Sequence, residues 1–391
     1  MKDRLAIIGA SYLQKPLVLK ARELGYETHV FAWSEGAVCE RIAHSFYPVS
    51  IRDIDTITKI CREIEPCGIV TIASDLASIT VNEVAARLGL IGNSSACSQA
   101  TTNKFLMREK LSESDLPCPR YARIDDLSFH LPREFRYPLI VKPVDRSGSR
   151  GVSMVKNADE LPAAIELALN ESFRKEAVAE EFIEGSELSV EAISWQGKHY
   201  ILQYTDKITT GPPHFVEKTH HQPAVLDLSQ QARIAKIVNE SLTSLGVEYG
   251  ASHSEIKIDS CGDVYIIEIG ARMGGDLIGS HLVQLSTGYD FMKAAIDVAI
   301  GNFNEPVFSN AKHSGIHYIF PATGILDAVI FKGDDYVVGH DIMINLGDEV
   351  PEIADSSQRP GYYLYQAEQR MEFDPEQLIL HTRNANNEDP I

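Results

Sequence analysis

Leu5-Ala6-Ile7-Ile8 is an uninterrupted apolar run that stops at Gly9, the pattern of a strand buried on both faces of a parallel sheet. Pro16 to Leu24 then carries apolar residues at helical spacing and ends at Gly25, which predicts a helix and its stop. Glu27 to Ala32 reads as the next strand, and Ile54 to Ile64 as a helix with Pro66 just beyond it. Gly68 to Ile72 is a further buried strand, and Thr80 to Leu88 a helix before Gly89. Strands alternating with helices predict an α/β fold, a parallel sheet covered by helices on both faces. Of the dinucleotide fingerprint G-x-G-x-x-G only Gly9 is present. Ser11 and Gln14 hold the other two positions, where a backbone would have to approach a pyrophosphate closely. Dinucleotide binding is therefore not expected.

Further along, chemistry-bearing side chains interrupt the apolar pattern. Lys104 opens a helix running to about Leu111, Lys142 sits near the end of the apolar strand Tyr137 to Pro143, and Lys207 falls in a polar strand-to-loop transition. An ammonium in an apolar strand needs an anionic partner or water, and at Lys142 both remain open. Asp145-Arg146-Ser147-Gly148-Ser149-Arg150-Gly151 follows immediately, and Val152 to Lys156 resumes as a strand. A small-residue loop of this kind can turn several N–H groups toward an anion. It is no Walker A loop, because G-x-x-x-x-G-K-[ST] does not occur. Val178 to Glu191 reads either as a plain hairpin with solvated acids or as a connector whose backbone meets a purine edge while a carboxylate takes ribose hydroxyls. Ser252 to Ile258 and Val264 to Gly270 are alternating strands around the turn Asp259 to Asp263. In an antiparallel pair Glu255 and Glu268 fall near each other, where a hard cation such as Mg²⁺ would relieve their repulsion. His253-x-Glu255 lacks the Pro-Cys-x-x-Cys partner of a zinc deaminase.

Composition narrows the partners. The 391 residues are 44% hydrophobic and 23% charged, ordinary for a globular chain, and at roughly 150 residues per domain suggest two to three domains. Lys and Arg total 36 against 55 Asp and Glu, a net charge of −19 with no basic run, which argues against nucleic acid. The six cysteines form no Cys-x-x-Cys pair and read as reduced structural thiols. Neither a signal peptide nor a membrane-crossing apolar stretch is expected, which points to a soluble cytoplasmic protein. His221 and His281 are expected in loops or interfaces, Tyr362, Tyr363 and Tyr365 to pack in a strand, and Asn384 to Ile391 to form a polar tail.

Lys104, Val141-Lys142-Pro143, the Ser147 to Gly151 loop, Glu180 to Gly185, Glu187, Glu255 and Glu268-Ile269-Gly270-Ala271-Arg272 occur in one order. That order resembles the ATP-grasp superfamily, in particular its carboxylate–amine (amino-acid or dipeptide) ligases and carbamoyl-phosphate synthetase-like members. The resemblance covers almost the whole chain. It implies an N-terminal α/β domain over 1–98, an ATP-grasp domain over 99–310 with a flap near 120–185, and a small β-rich part over 311–391.

It also implies roles. Lys104 and Lys142 would contact ATP phosphates beneath a loop of Ser147, Gly148, Ser149 and Gly151, with Lys207 in the same nucleotide set. Glu180, Glu181, Phe182 and Ile183 would line adenine through their backbone, and Glu187 would hold the ribose. Phe215 to Ala224 resembles the His-x-x-Pro element of amino-acid ligases, which brings His220 to the γ-phosphate. Glu255 and Glu268 would carry Mg²⁺. Arg272 would stabilise an acyl phosphate or bind a substrate carboxylate, acting catalytically with His220 and Lys142. The implied reaction joins a small-molecule carboxylate to an amine through an acyl phosphate, releasing ADP and phosphate, with a homodimer as one open assembly. Bicarbonate activation, or nucleotide binding without ligase turnover, are the alternatives. One position departs: the family commonly has Glu-x-Asn where this chain has Glu268-Ile269-Gly270, which removes an oxygen that helps hold the second Mg²⁺.

A native-state ligand raises the melting temperature by mass action. ATP with Mg²⁺ is expected to raise it in a thermal shift assay, and NAD or NADP to leave it unchanged. Equal stabilisation by NAD would refute the nucleotide reading.

Overall fold

A computed structural model describes residues 3–212 and 214–383, so the tail Asn384 to Ile391 lies outside the described residues. The chain opens with β1 (Arg4–Ile8), α1 (Lys15–Glu23), β2 (Glu27–Ala32), β3 (Ser45–Pro48), α2 (Ile54–Ile64), β4 (Gly68–Val70) and α3 (Asp75–Leu88). It continues through α4 (Ser95–Thr102), α5 (Lys104–Glu113), β5 (Tyr121–Ile124), β6 (Leu139–Pro143), β7 (Ser153–Val155), α6 (Leu161–Glu171) and β8 (Ala177–Glu181). Next come β9 (Gly185–Trp195), β10 (Lys198–Thr209), β11 (Glu217–Gln222), α7 (Leu228–Ser244), β12 (Gly250–Asp259) and β13 (Val264–Gly270). After a helical turn at Ile278–Leu282 follow α8 (Val283–Thr287), α9 (Phe291–Ala299), β14 (His313–Tyr318), β15 (Gly324–Phe331), β16 (Val337–Ile342), β17 (Glu349–Val350), β18 (Gly361–Ala367) and β19 (Leu378–Arg383). Backbone contacts group these into two compact units. The first is Met1–Tyr121, Ile183–Tyr204 and Val225–Asn310; the second is Ala122–Phe182, Thr205–Ala224 and Ala311–Ile391.

In the first unit the opening strands form the expected parallel sheet, in the order β3-β2-β1-β4. Leu5, Ile7, Ile8, Val30 and Phe31 are wholly removed from water there, and each such side chain contributes roughly 1.5–3 kcal/mol of burial. Side-chain caps start the helices. Asp53 accepts from Thr56 N–H, Ser74 from Ala77 N–H, and Asn103 from the N–H groups of Phe105 and Leu106. The Ser74 cap starts α3 at Asp75, a full turn before the Thr80 start that apolar spacing suggested, and this puts Asp75 on the first helical turn. The same unit holds an antiparallel ladder with β12 between β9 and β13. At its edge a Cβ on Gly185 would lie 2.0 Å from the Ile258 carbonyl oxygen, so only glycine lets β9 begin so close to β12.

In the second unit β5, β8, β6 and β7 form a sheet in that order, covered by α6, with Leu139, Val141, Ala177 and Ala179 in its core. Since β8 pairs with β6, and β9 with β12, Val178 to Glu191 is a connector and not a hairpin. The last residues of β10 pair with β11, β11 with β14, β14 with β18, and β18 with β16. Lys207 therefore lies within a strand, not at a strand-to-loop transition. His221 is also on a strand: it is buried in β11, and its Nδ1 lies 2.7 Å from the Tyr365 hydroxyl. As expected, Tyr363 and Tyr365 pack in the core of β18. Among the described residues no helix is long and apolar enough to cross a membrane, and all six cysteines are free.

Burial pushes the His221 imidazole down to about 2 and that of His317, stacked on Tyr365, down to about 4. Both are neutral in the folded protein but take up a proton on unfolding once the pH falls below about 6.5. Their stabilising contribution is present above that pH and is lost as pH falls through the folded-state values. Urea unfolding of wild type is expected to weaken between pH 6.5 and 4 more steeply than that of His317→Phe. Parallel curves would show that His317 is charged in the native state.

Candidate active site

Three strands of the first unit lay out a small grid. Glu255 on β12 faces Ser189 on β9 and Glu268 on β13; two residues back, His253 faces Glu191 on β9 and Gly270 on β13. Because alternate residues share a face, the carboxylates of Glu255 and Glu268 and the His253 ring belong to one side of the ladder. The opposition of Glu255 and Glu268 expected from the sequence is present in the register. A cation already meets it. Lys104, the first residue of α5 and 6% exposed, places Nζ 2.9 Å from Glu268 Oε1.

Two further ion pairs enclose these carboxylates. Arg272 Nε lies 2.8 Å from Asp75 Oδ1, and Nη2 lies 3.3 Å from Oδ2, a forked pair with the first residue of α3. Burial alone would raise the Asp75 pKa, but the guanidinium overcomes it and holds the carboxyl below its ordinary range; Arg272 is raised in turn by Asp75. His253 Nδ1 lies 2.5 Å from Oε1 of the fully buried Glu191, and its Nε2 lies 3.5 Å from Glu255 Oε1. Burial disfavours a charged ring, yet Glu191 outweighs it and the imidazole is pulled up to about 9. Glycines make room for both pairs. A Cβ at Gly274 would fall 2.8 Å from His253 Nδ1, and one at Gly270 3.1 Å from both Arg272 Cζ and Asp75 Oδ1. Among the described residues no group of three or more His, Cys, Asp or Glu is disposed to hold a metal ion. The fit to a hard divalent cation rests on the donor set: two opposed carboxylates, with the Lys104 ammonium standing where positive charge is needed.

In the second unit Lys142 Nζ lies 2.8 Å from Glu180 Oε2, and both side chains are less than one-tenth exposed. The loop after β6 is tied down at its base. Asp145 accepts from Ser172 Oγ and from the N–H groups of Phe173 and Arg174, while Arg146 pairs with Glu171 and lies over the Phe173 ring. Gly148, Ser149 and Gly151 all have positive φ, of 68°, 58° and 72°, so the loop passes repeatedly through the left-handed region. Arg146 is thus taken up by the base of the loop, and Ser147 to Gly151 form its tip.

The connector is partly engaged already. Phe182 N–H donates to the Pro138 carbonyl, and Glu181 Oε1 accepts from Arg136 N–H. In the first unit, Lys257 Nζ donates to the Ile183 carbonyl, and Glu187 is half-buried on β9, opposite Lys257. Lys207 lies opposite the fully buried His220, and its Nζ is 3.9 Å from Glu217 Oε1.

Asp75, Glu191 and Arg359 were not singled out from the sequence. Arg359 stacks 3.5 Å over the Tyr318 ring and donates to the Glu217 carbonyl, while Ser356 Oγ donates to Glu217 Oε2. Asp75 had a legible signal in Ser74-Asp75, a cap following a buried strand; Glu191 and Arg359 had none beyond a charge in or before an apolar strand.

Residues 135–280 match the family model of the ATP-grasp domain. That segment is an ATP-grasp domain. Its fold is that of an L-amino acid ligase from Bacillus licheniformis, with a TM-score of 0.85 over 98% of this chain and 99% of that one at 23% identity. In sequence it is 25% identical over 254 residues to an alanine–anticapsin ligase of Bacillus subtilis, covering 59% of this chain and 53% of the relative. It is 28% identical over 304 residues to the dapdiamide A synthase of Enterobacter agglomerans, covering 70% and 68%. The chain spans about half the length of the first curated relatives it matches.

Breaking one half of a buried ion pair costs about 3–5 kcal/mol, whereas replacing both halves with apolar groups can be neutral. Lys142→Met is expected to destabilise the protein by that amount in chemical denaturation, and Lys142→Met/Glu180→Leu to recover most of it. A double variant as unstable as the single one would show that Glu180 is not the partner that matters.

Proposed function

We propose that the chain is an ATP- and Mg²⁺-dependent ligase that joins a carboxylate to an amine through an acyl phosphate, releasing ADP and phosphate. The observation that carries this reading is the ladder of Glu255 and Glu268 with Lys104 on it and Arg272 paired beside it. The printed activities of the similar proteins, an alanine–anticapsin ligase, a dapdiamide A synthase and an L-amino acid ligase, favour amino-acid substrates.

Under this reading Glu255 and Glu268 hold Mg²⁺, which when bound neutralises phosphate charge. Lys104, paired with Glu268, would offer its ammonium to a phosphate oxygen. Lys142 and Lys207, held by Glu180 and Glu217, contribute fixed positive charge, and Ser147 to Gly151 close over the phosphates through their N–H groups. His220 serves the γ-phosphate. Glu180 to Ile183 line the adenine and Glu187 takes the ribose. Since Phe182 N–H is already donated to Pro138, the adenine contact falls to the other backbone groups of that segment. Arg272 offers its guanidinium to the acyl phosphate or a substrate carboxylate, and water is kept out because the acyl phosphate would hydrolyse. The domain limits 1–98, 99–310 and 311–391 and a cytoplasmic location belong to the same proposal. Gly270 favours a second reading, nucleotide binding without turnover, because the family's metal-holding asparagine is missing there.

An ADP-release screen across amino acids, dipeptides and bicarbonate tests this. Release is expected to require a carboxylate and an amine together, and Glu268→Gln is expected to lower it at least a hundredfold. Release with bicarbonate alone, or nucleotide binding with no release under any pair, would overturn the ligase reading.

A further inference from the structure

Arg359 follows the short turn Ser356–Gln358 and precedes β18, yet its partners in the second unit lie on β14 and β11. Because β14 pairs with both β11 and β18, the side chain reaches across the width of a strand. Its guanidinium lies 3.5 Å over the Tyr318 ring of β14. Nη1 donates to the Glu217 carbonyl at 3.3 Å, and Nε to the Ser356 carbonyl at 2.9 Å. Only 2% of Arg359 is exposed. A planar cation stacked on a ring and hydrogen-bonded along its edge is fixed in orientation as well as in place, which the point charge of a lysine could not be.

Both groups that Arg359 grips lead to chemistry-bearing side chains. Glu217 Oε2 accepts from Ser356 Oγ at 2.6 Å, and Oε1 of the same carboxylate is 3.9 Å from Lys207 Nζ. The Tyr318 ring meets the His220 ring edge to face, with centroids 6.4 Å apart and planes at 87°. Lys207 and His220 are themselves directly opposite on β10 and β11. We propose that Arg359 is a positioning residue for the phosphate end of the nucleotide site, holding Lys207 through Glu217 and His220 through Tyr318; this rests on the reading that places those two groups at ATP phosphates. The start of β11 needs such a clamp. The register of β10 on β11 shifts between Ile208 and Thr209, so Glu217 sits at the irregular end of the ladder, where backbone pairing alone does not fix a side chain. The clamp stands on a braced turn: Asp355 accepts from Ser357 N–H, and Gln358 Oε1 accepts from Asp355 N–H. A lysine has a flexible four-carbon stem, and restricting it before a ligand arrives lets its charge act without reorganising. The competing role is a staple for the sheet, which would contribute stability but would not distinguish one nucleotide from another.

Calorimetric titration of the full-length protein, with Mg²⁺ and either ADP or the non-hydrolysable β,γ-methylene analogue of ATP, separates the two roles, since only the analogue carries a γ-phosphate. Arg359→Met is expected to weaken the analogue about tenfold and ADP no more than about threefold. Arg359→Lys keeps the charge without the planar edge and is expected to weaken the analogue about threefold, with ADP unchanged. Lys207→Met and Arg359→Met/Lys207→Met are expected to differ by less than about threefold on the analogue, because a residue acting through Lys207 then has little left to hold. Melting curves check the fold, and where Arg359→Met does not fold the Arg359→Lys result decides. Equal losses on both nucleotides, or unchanged binding of the analogue in a folded variant, would overturn the proposal and leave Arg359 as a staple. Wild type that binds neither nucleotide would instead sink the ATP reading itself, and the proposal with it.

Discussion

Two carboxylates set opposite each other on neighbouring strands repel unless positive charge is brought between them, and the backbone ladder leaves Glu255 and Glu268 no other place. Much of the first unit answers that constraint. The Asn103 cap starts α5 so that its first residue, Lys104, reaches Glu268. His253, kept charged by Glu191, sets a second positive group near Glu255. Arg272 contributes a third, itself balanced by Asp75. A cluster this dense in charge is costly to bury and holds only while each member is paired. It is a poor device for stability.

The same cluster explains its glycines. Gly270 and Gly274 are not needed for turn geometry, since neither has positive φ. Neighbouring side chains crowd the place a Cβ would take: the Arg272–Asp75 fork, 3.1 Å away, would have to give at Gly270, and the His253–Glu191 pair, 2.8 Å away at its nearest, excludes a Cβ at Gly274. Close approach, not conformational freedom, marks both positions.

The second unit repeats the logic with different partners. Lys142 is paired with Glu180 across adjacent strands, and Lys207 lies near Glu217, whose carboxylate and carbonyl are taken by Ser356 and Arg359. Each lysine is held in position by a neighbouring carboxylate. That preorganisation lets a charge act strongly without reorganising when a ligand arrives.

Period and punctuation in the sequence determined which segments are strands and helices: the apolar run ending at Gly9 gave β1, the buried run starting at Gly68 gave β4, and helical spacing before Gly25 and Gly89 gave α1 and the end of α3. The opposition of Glu255 and Glu268 was legible because a short turn leaves two adjacent strands few registers to choose from. Strand pairing was legible only where the turn was that short. The reading of Val178 to Glu191 could not be decided locally, because β8 finds β6 and β9 finds β12, partners distant along the chain. Lys207 looked like a strand end because a polar stretch reads the same in a loop as in a strand whose polar side chains pair internally. Asp75 and Arg272 are 197 residues apart, and Glu191 and His253 are 62 apart. No spacing rule joins such positions. Their meeting depends on long-range packing, which only the folded chain decides.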